Sequence, residues 1–291
     1  ATQYTGKVVC YEVTADNKLE MVWVDSTAQK VGRGQSLPRH VVVGDMDKNG
    51  KDEMIFLCGR AVADSPDSVG FYFFEWNGQD NGFGAIGGGP TYILPINQVF
   101  PACTDVRATE YINLADVDGD GREELLLPNN GTGSGAGADF YGIFSCVDGT
   151  LESGFPTFKT ELYMPRAATE MIGGPVGCEA ADVDGDGIKE PIFIGWDLGK
   201  ISVLDAVKPD SFVIAKNIRY DYSGDDAVFY VSLGHYDIDG DGAEELMGAS
   251  ADPTAANPPG FIPLMKFPKK ISDFDPKNPA HLSMIRSNIG T

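Results

Sequence analysis

Apolar residues in this chain gather in short runs, each soon broken by glycine, proline or an acidic turn, and few stretches carry a helical period. Short runs rich in Val, Ile, Phe and Tyr, bounded by turn formers, predict strands. They recur in a fixed order. An entering strand ("RHVVVG", "EYINLA", "VGCEAA", "FYVSLGHY") leads into an acidic turn, and a second apolar run follows ("EMIFLCG", "ELLLPN", "EPIFIGW", "ELMGAS"). Third strands are expected at 70–76, 139–146, 200–206 and 261–267 ("GFYFFEW", "DFYGIFSC", "KISVLDA", "FIPLMKF"). Fourth-strand candidates lie at 91–96, 159–164 and 212–218 ("TYILPI", "KTELYM", "FVIAKNI"). Ahead of the first unit, "GKVVCYEVTADNKLEMVWVD" reads as a hairpin turning at "ADNK". The predicted class is all-β.

The turns carry the candidate chemistry. "ADVDGDG" stands at 115–121 and again at 181–187, with "YDIDGDG" at 236–242 and the weaker "GDMDKNG" at 44–50. Counted from the first Asp, positions 1, 3 and 5 hold Asp45, Asp47 and Asn49; Asp116, Asp118 and Asp120; Asp182, Asp184 and Asp186; and Asp237, Asp239 and Asp241. Position 6 is always glycine (Gly50, Gly121, Gly187, Gly242), as a sharp bend with unusual dihedrals requires. Position 9 is always glutamate: Glu53, Glu124, Glu190 and Glu245. Alternating short carboxylates around a tight turn converge on one point. The backbone carbonyl of position 7 (Lys51, Arg122, Ile188 or Ala243) is expected to join them.

Hard oxygen ligands at this density suit Ca²⁺, which accepts about six to eight of them in loose geometry. One "DGDG" is as well explained by a solvated turn. Four copies agreeing at positions 1, 3, 5, 6 and 9 are not, because without a cation their carboxylates repel one another. Three or four ions are therefore expected, the first loop being the poorest match to the pattern because Asn49 replaces an Asp. The EF-hand begins with the same spacing but needs a glutamate at position 12 and flanking helices. Here position 12 is Phe56, Leu127, Phe193 or Gly248, so the EF-hand is excluded.

Composition narrows the partners. A formal net charge of -21 over 291 residues argues against nucleic acid or an anionic membrane surface. No apolar run approaches the length of a membrane span, and no basic start precedes an apolar stretch, so the expectation is a soluble, mature chain whose signal peptide has been removed. The five cysteines (Cys10, Cys58, Cys103, Cys146, Cys178) show no zinc spacing; burial as small hydrophobes and disulfide pairing stand as equal alternatives. His40 and His235 precede two of the turns and read as strand or supporting residues, and no nucleophile elbow, zinc-protease helix, P-loop or dinucleotide fingerprint occurs. Trp23, Trp76 and Trp196 read as packing between sheets rather than as sugar-stacking platforms. Asn130, in "NNGT", is the one glycosylation sequon.

Four short antiparallel strands per repeat describe the blade of a β-propeller. The pattern Asp-x-Asp-x-Asp-Gly-x-x-acid between two short strands resembles the FG-GAP/VCBS repeat of integrin α-subunit propellers and many secreted microbial proteins. "DIDGDGAEELMGASADP" at 237–253 matches best; the other copies depart after the loop ("CGR", "PNN", "GWD"), and the Phe-Gly that precedes the family's loop is missing. The resemblance implies a secreted or cell-surface propeller of four-stranded blades, with Ca²⁺ held in strand-connecting loops away from the ligand-binding face. One domain over 1–291 is expected, with a hairpin segment at 1–37 and repeats at about 38–105, 106–172, 173–226 and 227–291. Four marked repeats imply about five blades or a section of a larger propeller. In the first case the N-terminal hairpin is expected to pair with C-terminal strands near "HLSMIR", or with a neighbouring chain.

The leading functional expectation is a non-catalytic extracellular module for adhesion, carbohydrate or protein recognition, or surface assembly, with an extracellular ligand or copies of itself as partner. The alternatives are a polysaccharide lyase of the rhamnogalacturonan-lyase type and a structural subunit of an extracellular filament or sheath.

Overall fold

The computed structural model describes residues 7–26, 40–58, 69–103, 111–130, 139–169, 175–195, 200–219, 228–251 and 261–286. Within them β1 (Val8–Ala15) and β2 (Lys18–Asp25) form a hairpin that stands as a two-stranded sheet. Four antiparallel sheets of four strands follow, each laid down in chain order. The first contains β3 (Val41–Gly44), β4 (Glu53–Cys58), β5 (Gly70–Glu75) and β6 (Tyr92–Pro95). The second contains β7 (Asn113–Ala115), β8 (Glu124–Asn130), β9 (Asp139–Asp148) and β10 (Thr157–Pro165). β11 (Pro175–Ala181), β12 (Glu190–Gly195), β13 (Lys200–Lys208) and β14 (Ser211–Arg219) make the third. β15 (Val228–Tyr236), β16 (Glu245–Ala251), β17 (Phe261–Met265) and β18 (Leu282–Arg286) make the fourth. Each acidic turn joins the first two strands of its sheet.

The sheets stack in sequence order. β4, β5 and β12 are buried at every position, which is why they read as unbroken apolar runs rather than alternating ones. Between the first and second sheets lie Ile55, Phe71, Phe73, Leu125, Phe140 and Phe144. Leu126, Tyr141, Ile143, Cys178, Phe193 and Leu204 fill the space between the second and third. Ile192, Ile194, Val203, Leu246, Met265 and Phe274 fill the next. Aromatic packing reinforces these layers: Tyr141 stacks on Phe193 with centroids 4.3 Å apart, and its hydroxyl meets Ser202 Oγ at 2.9 Å. The first strands of successive sheets (β3, β7, β11 and β15) also touch one another in that order.

The hairpin differs from expectation. β18 is hydrogen-bonded to β17, with Met265 opposite Leu282, so the "HLSMIR" strand completes the fourth sheet and is not shared with β1 or β2. The hairpin is held by its face instead. Val8, Cys10 and Trp23 cover Met54, Phe56 and Phe74 of the first sheet, with Trp23 edge-on to Phe74 and Phe83 at 5.2 and 5.8 Å. The packing role expected of Trp23 is therefore observed. Trp76 departs from it: the side chain is 46% exposed and its indole N–H donates to Gln79 O at 3.0 Å. Trp196 lies outside the described residues. All five cysteines are unbridged and all but the half-buried Cys10 are buried, which settles the two alternatives for them in favour of small core side chains. Among the described residues no helix is long and apolar enough to cross a membrane.

Candidate metal centres

Each turn is built by its own first aspartate. Asp45 accepts the N–H groups of Asn49 and Gly50 at 2.9 and 2.8 Å. Asp116 accepts those of Gly119 and Gly121 at 2.8 and 2.9 Å. Asp182 accepts from Gly185, Asp186 and Gly187, and Asp237 from Gly240, Asp241 and Gly242. The position-6 glycines take φ from +80 to +94°, a region that side chains with a Cβ rarely adopt. Position 5 closes the turn: Asn49, Asp120, Asp186 and Asp241 accept, through Oδ1, the N–H of Lys51, Arg122, Ile188 and Ala243.

Position 9 belongs to the sheet. Glu53, Glu124, Glu190 and Glu245 open the second strands, stand opposite Gly44, Ala115, Ala181 and Tyr236, and are at most 3% exposed. In each, Oε2 accepts the N–H of position 2, at 2.7–3.0 Å, from Met46, Val117, Val183 and Ile238. Among the described residues, the other oxygen of Glu53 and Glu124 is buried without a hydrogen-bond partner, and that of Glu245 meets only the Lys266 ammonium, 3.4 Å away. A buried carboxylate oxygen left unpaired is costly, so Glu53 and Glu124 invite a cation. Positions 1, 3 and 9 come together in all four turns, with one oxygen from each within 4.8 Å of the others: Asp45, Asp47 and Glu53; Asp116, Asp118 and Glu124; Asp182, Asp184 and Glu190; Asp237, Asp239 and Glu245. Any of the four sets could hold a metal ion. The position-5 groups predicted as ligands fall outside these sets, and position 7 is tied to them through its N–H.

The field within the turns follows from burial and like charge. Burial, with Asp47 beside it, pushes Glu53 up to about 9. Burial likewise lifts Glu124 to about 9, with Glu161 and Asp118 adding to it, and Glu190 to about 9, with Asp184 and Asp186 adding to it. Asp47 and Asp184 are raised by burial as well. A divalent cation would supply counter-charge to such groups.

Four features escaped sequence reasoning. Position 8 links neighbouring loops: Asp45 N–H donates to Glu123 at 2.9 Å and Asp182 N–H to Glu244 at 3.0 Å. Position 3 reaches the next sheet, since Asp47 accepts Leu151 N–H and Asp118 accepts Asp210 N–H, both at 2.7 Å. Position 2 plugs the loop into the core: Met46, Val117 and Val183 are fully buried, whereas Ile238 is 48% exposed because no described sheet lies beyond the fourth. A fifth acidic set, Asp118, Glu161 and Asp210, forms where the second loop meets the third sheet. Burial lifts Glu161 to about 7, while Lys159 pairs with Asp210 at 2.5 Å. All four are contacts across large sequence separations, which no local motif announces.

The histidines serve as supports. His40 Nδ1 lies 2.8 Å from Ile112 O, and His235 sits 3.1 Å from Glu244 and 3.7 Å from Glu179. Burial lowers the His40 pKa. His281 meets Asp275 N–H at 3.0 Å. Asn130 is half-buried at the end of β8, opposite Asp139, and the rest of its sequon lies outside the described residues.

No family model matches the sequence, and the comparison with curated proteins found no match. Among solved structures, the chain is similar to part of the Photorhabdus luminescens Tc holotoxin pore carrying the mutation TccC3-D651A, at 14% identity and a TM-score of 0.33. The match covers 83% of this chain and 11% of the toxin chain.

Proposed function

We propose that this chain is a non-catalytic, extracellular calcium-binding β-propeller module that presents loops to a protein or carbohydrate ligand. The observation that carries this reading is the fourfold carboxylate set, with Glu53 and Glu124 each bringing to two aspartates of the same turn a buried oxygen that has no partner among the described residues. All-oxygen donors in a turn of irregular geometry fit Ca²⁺ better than Mg²⁺, which demands near-octahedral ligation and keeps its waters. The propeller reading is supported by four four-stranded sheets stacked face to face, with their first strands in mutual contact. The integrin-like resemblance of the turns points the same way.

A second reading, a subunit of a larger ring or surface assembly, is favoured by the two ends of the stack. The hairpin turns Tyr11, Val13, Leu19 and Met21 outward, each more than half exposed, and Ile238 lies open on the last sheet. Exposed apolar surface of this kind marks a contact with something else.

The test is a pair of melting curves, in excess chelator and in millimolar calcium, repeated with magnesium. Calcium should raise the melting temperature by several degrees and magnesium by much less. Identical curves in chelator and calcium would remove the metal from the reading. A glycan array run beside a pectin-degradation assay separates ligand recognition from lyase activity, and particle size in solution tests assembly.

A further inference from the structure

The four turns share a backbone but differ in what faces the position-9 glutamate from the third strand. In the first sheet Glu53 stands opposite Glu75, which is itself buried with an unpartnered Oε2. In the second, one step beyond the Leu125–Phe144 pair, Ser145 faces Glu124 and donates its hydroxyl to Glu161. In the third, the Ile192–Val203 register carries Asp205 opposite Glu190. These three turns thus gain carboxylates from the third or fourth strand.

The fourth turn is different. One step beyond the Leu246–Met265 pair, Glu245 faces Lys266. The Lys266 ammonium donates to Asp239, reaches Asp241 at 2.6 Å, and lies 3.4 Å from the otherwise unpartnered Glu245 Oε1. Lys51 of the first turn offers a contrast. Its ammonium pairs with the buried Glu75 and the exposed Glu152, at 2.8 and 2.5 Å, and not with the Asp45, Asp47 and Glu53 set itself.

We propose that Lys266 is a tethered counter-cation for the fourth turn, held by Asp239 and Glu245 of its convergent set and by Asp241 beside them. This rests on the reading of the turns as calcium loops. The consequence is inequivalence: the convergent sets of three turns need an external ion, whereas that of the fourth already meets an ammonium and binds calcium only by displacing it. A lysine head can swing out, because its stem has several rotatable bonds and Lys266 is one-third exposed. The fourth turn is therefore the weakest calcium site and the one least dependent on calcium for its shape.

The experiment is calorimetric calcium titration of the chelator-stripped full chain, wild type against Lys266→Met and Lys266→Arg. In Lys266→Met the weakest dissociation constant should tighten by on the order of tenfold, since a unit charge a few ångströms from the ion has gone. The tighter constants should stay where they are. Lys266→Arg, which keeps the charge, should bind like wild type. In chelator, Lys266→Met should melt below wild type, and should recover in calcium. Unchanged constants and an unchanged chelator melt in Lys266→Met would overturn the proposal. A wild type that binds no calcium at all would instead overturn the reading of the turns. Lys266 would then be judged by the chelator melt alone, and an unchanged melt there would overturn its role as counter-cation.

Discussion

Replacing Glu124 by Gln separates the two things its carboxylate does. The amide keeps the shape and an oxygen to accept Val117 N–H, now at 2.9 Å, but removes the charge from a fully buried site. Without metal, the folded protein holds Glu124 protonated up to a pH of about 9, while the unfolded chain ionises it at its ordinary value near 4.3. A pKa raised by folding gives stability that is fully present below the unfolded value and is lost as pH rises towards the folded one. Glutamine carries no such loss. In chelator, Glu124→Gln should therefore match wild type near pH 4 and gain on it steadily up to pH 9, reaching on the order of 1–3 kcal/mol after allowance for relaxation of the site.

In saturating calcium the sign reverses. A site held at a hundredfold excess over its dissociation constant contributes about 2.7 kcal/mol, and losing the charged ligand forfeits most of that. For a chain of this size the change corresponds to a melting-temperature drop of about 5 °C. The assay is thermal unfolding of wild type and variant at pH 5, 7 and 9, in chelator and in calcium. A Glu124→Gln variant that is destabilised equally in both conditions would refute the argument, because it would mean the carboxylate acts only as a packing and hydrogen-bonding group.

Two further outcomes follow from the packing. Phe193→Ala removes the ring stacked on Tyr141 between the second and third sheets and should cost about 3–5 kcal/mol in calcium and chelator alike, read from denaturant midpoints. Deleting residues 1–26 should destabilise the chain and raise dye binding to apolar surface, because it uncovers Met54, Phe56 and Phe74; an unchanged unfolding midpoint would show that the hairpin contributes no cover.

Strand placement was legible because its signals are local. "EMIFLC" and "EPIFIG" are short apolar runs bounded by an acidic turn, and the turn itself fixes where each second strand begins. Positions 1, 3 and 9 were legible for the same reason, since one turn of chain carries all three. Position 5 also turned out to brace its own turn, since Oδ1 of each accepts the N–H two residues on. What could not be read depends on chain segments far apart in sequence. Glu123 meets Asp45, Lys266 meets Asp239, and the hairpin lies on the first sheet instead of beside β18. The "HLSMIR" strand was expected beside the N-terminal hairpin, but it lies next to β17 in chain order and pairs there, with Leu282 opposite Met265.

The anchoring of position 9 in the ladder has an evolutionary corollary. All four turns span the same eight residues between their strands (45–52, 116–123, 182–189 and 237–244), because a single inserted or deleted residue would swing the glutamate to the opposite side of its strand. The connections between second and third strands obey no such rule, running over 59–69, 131–138, 196–199 and 252–260. Length variation between lineages, and insertions made by an engineer, should therefore accumulate in those connections and stay out of the turns. A scaffold divided in this way can acquire new surface loops while its acidic turns keep a fixed length.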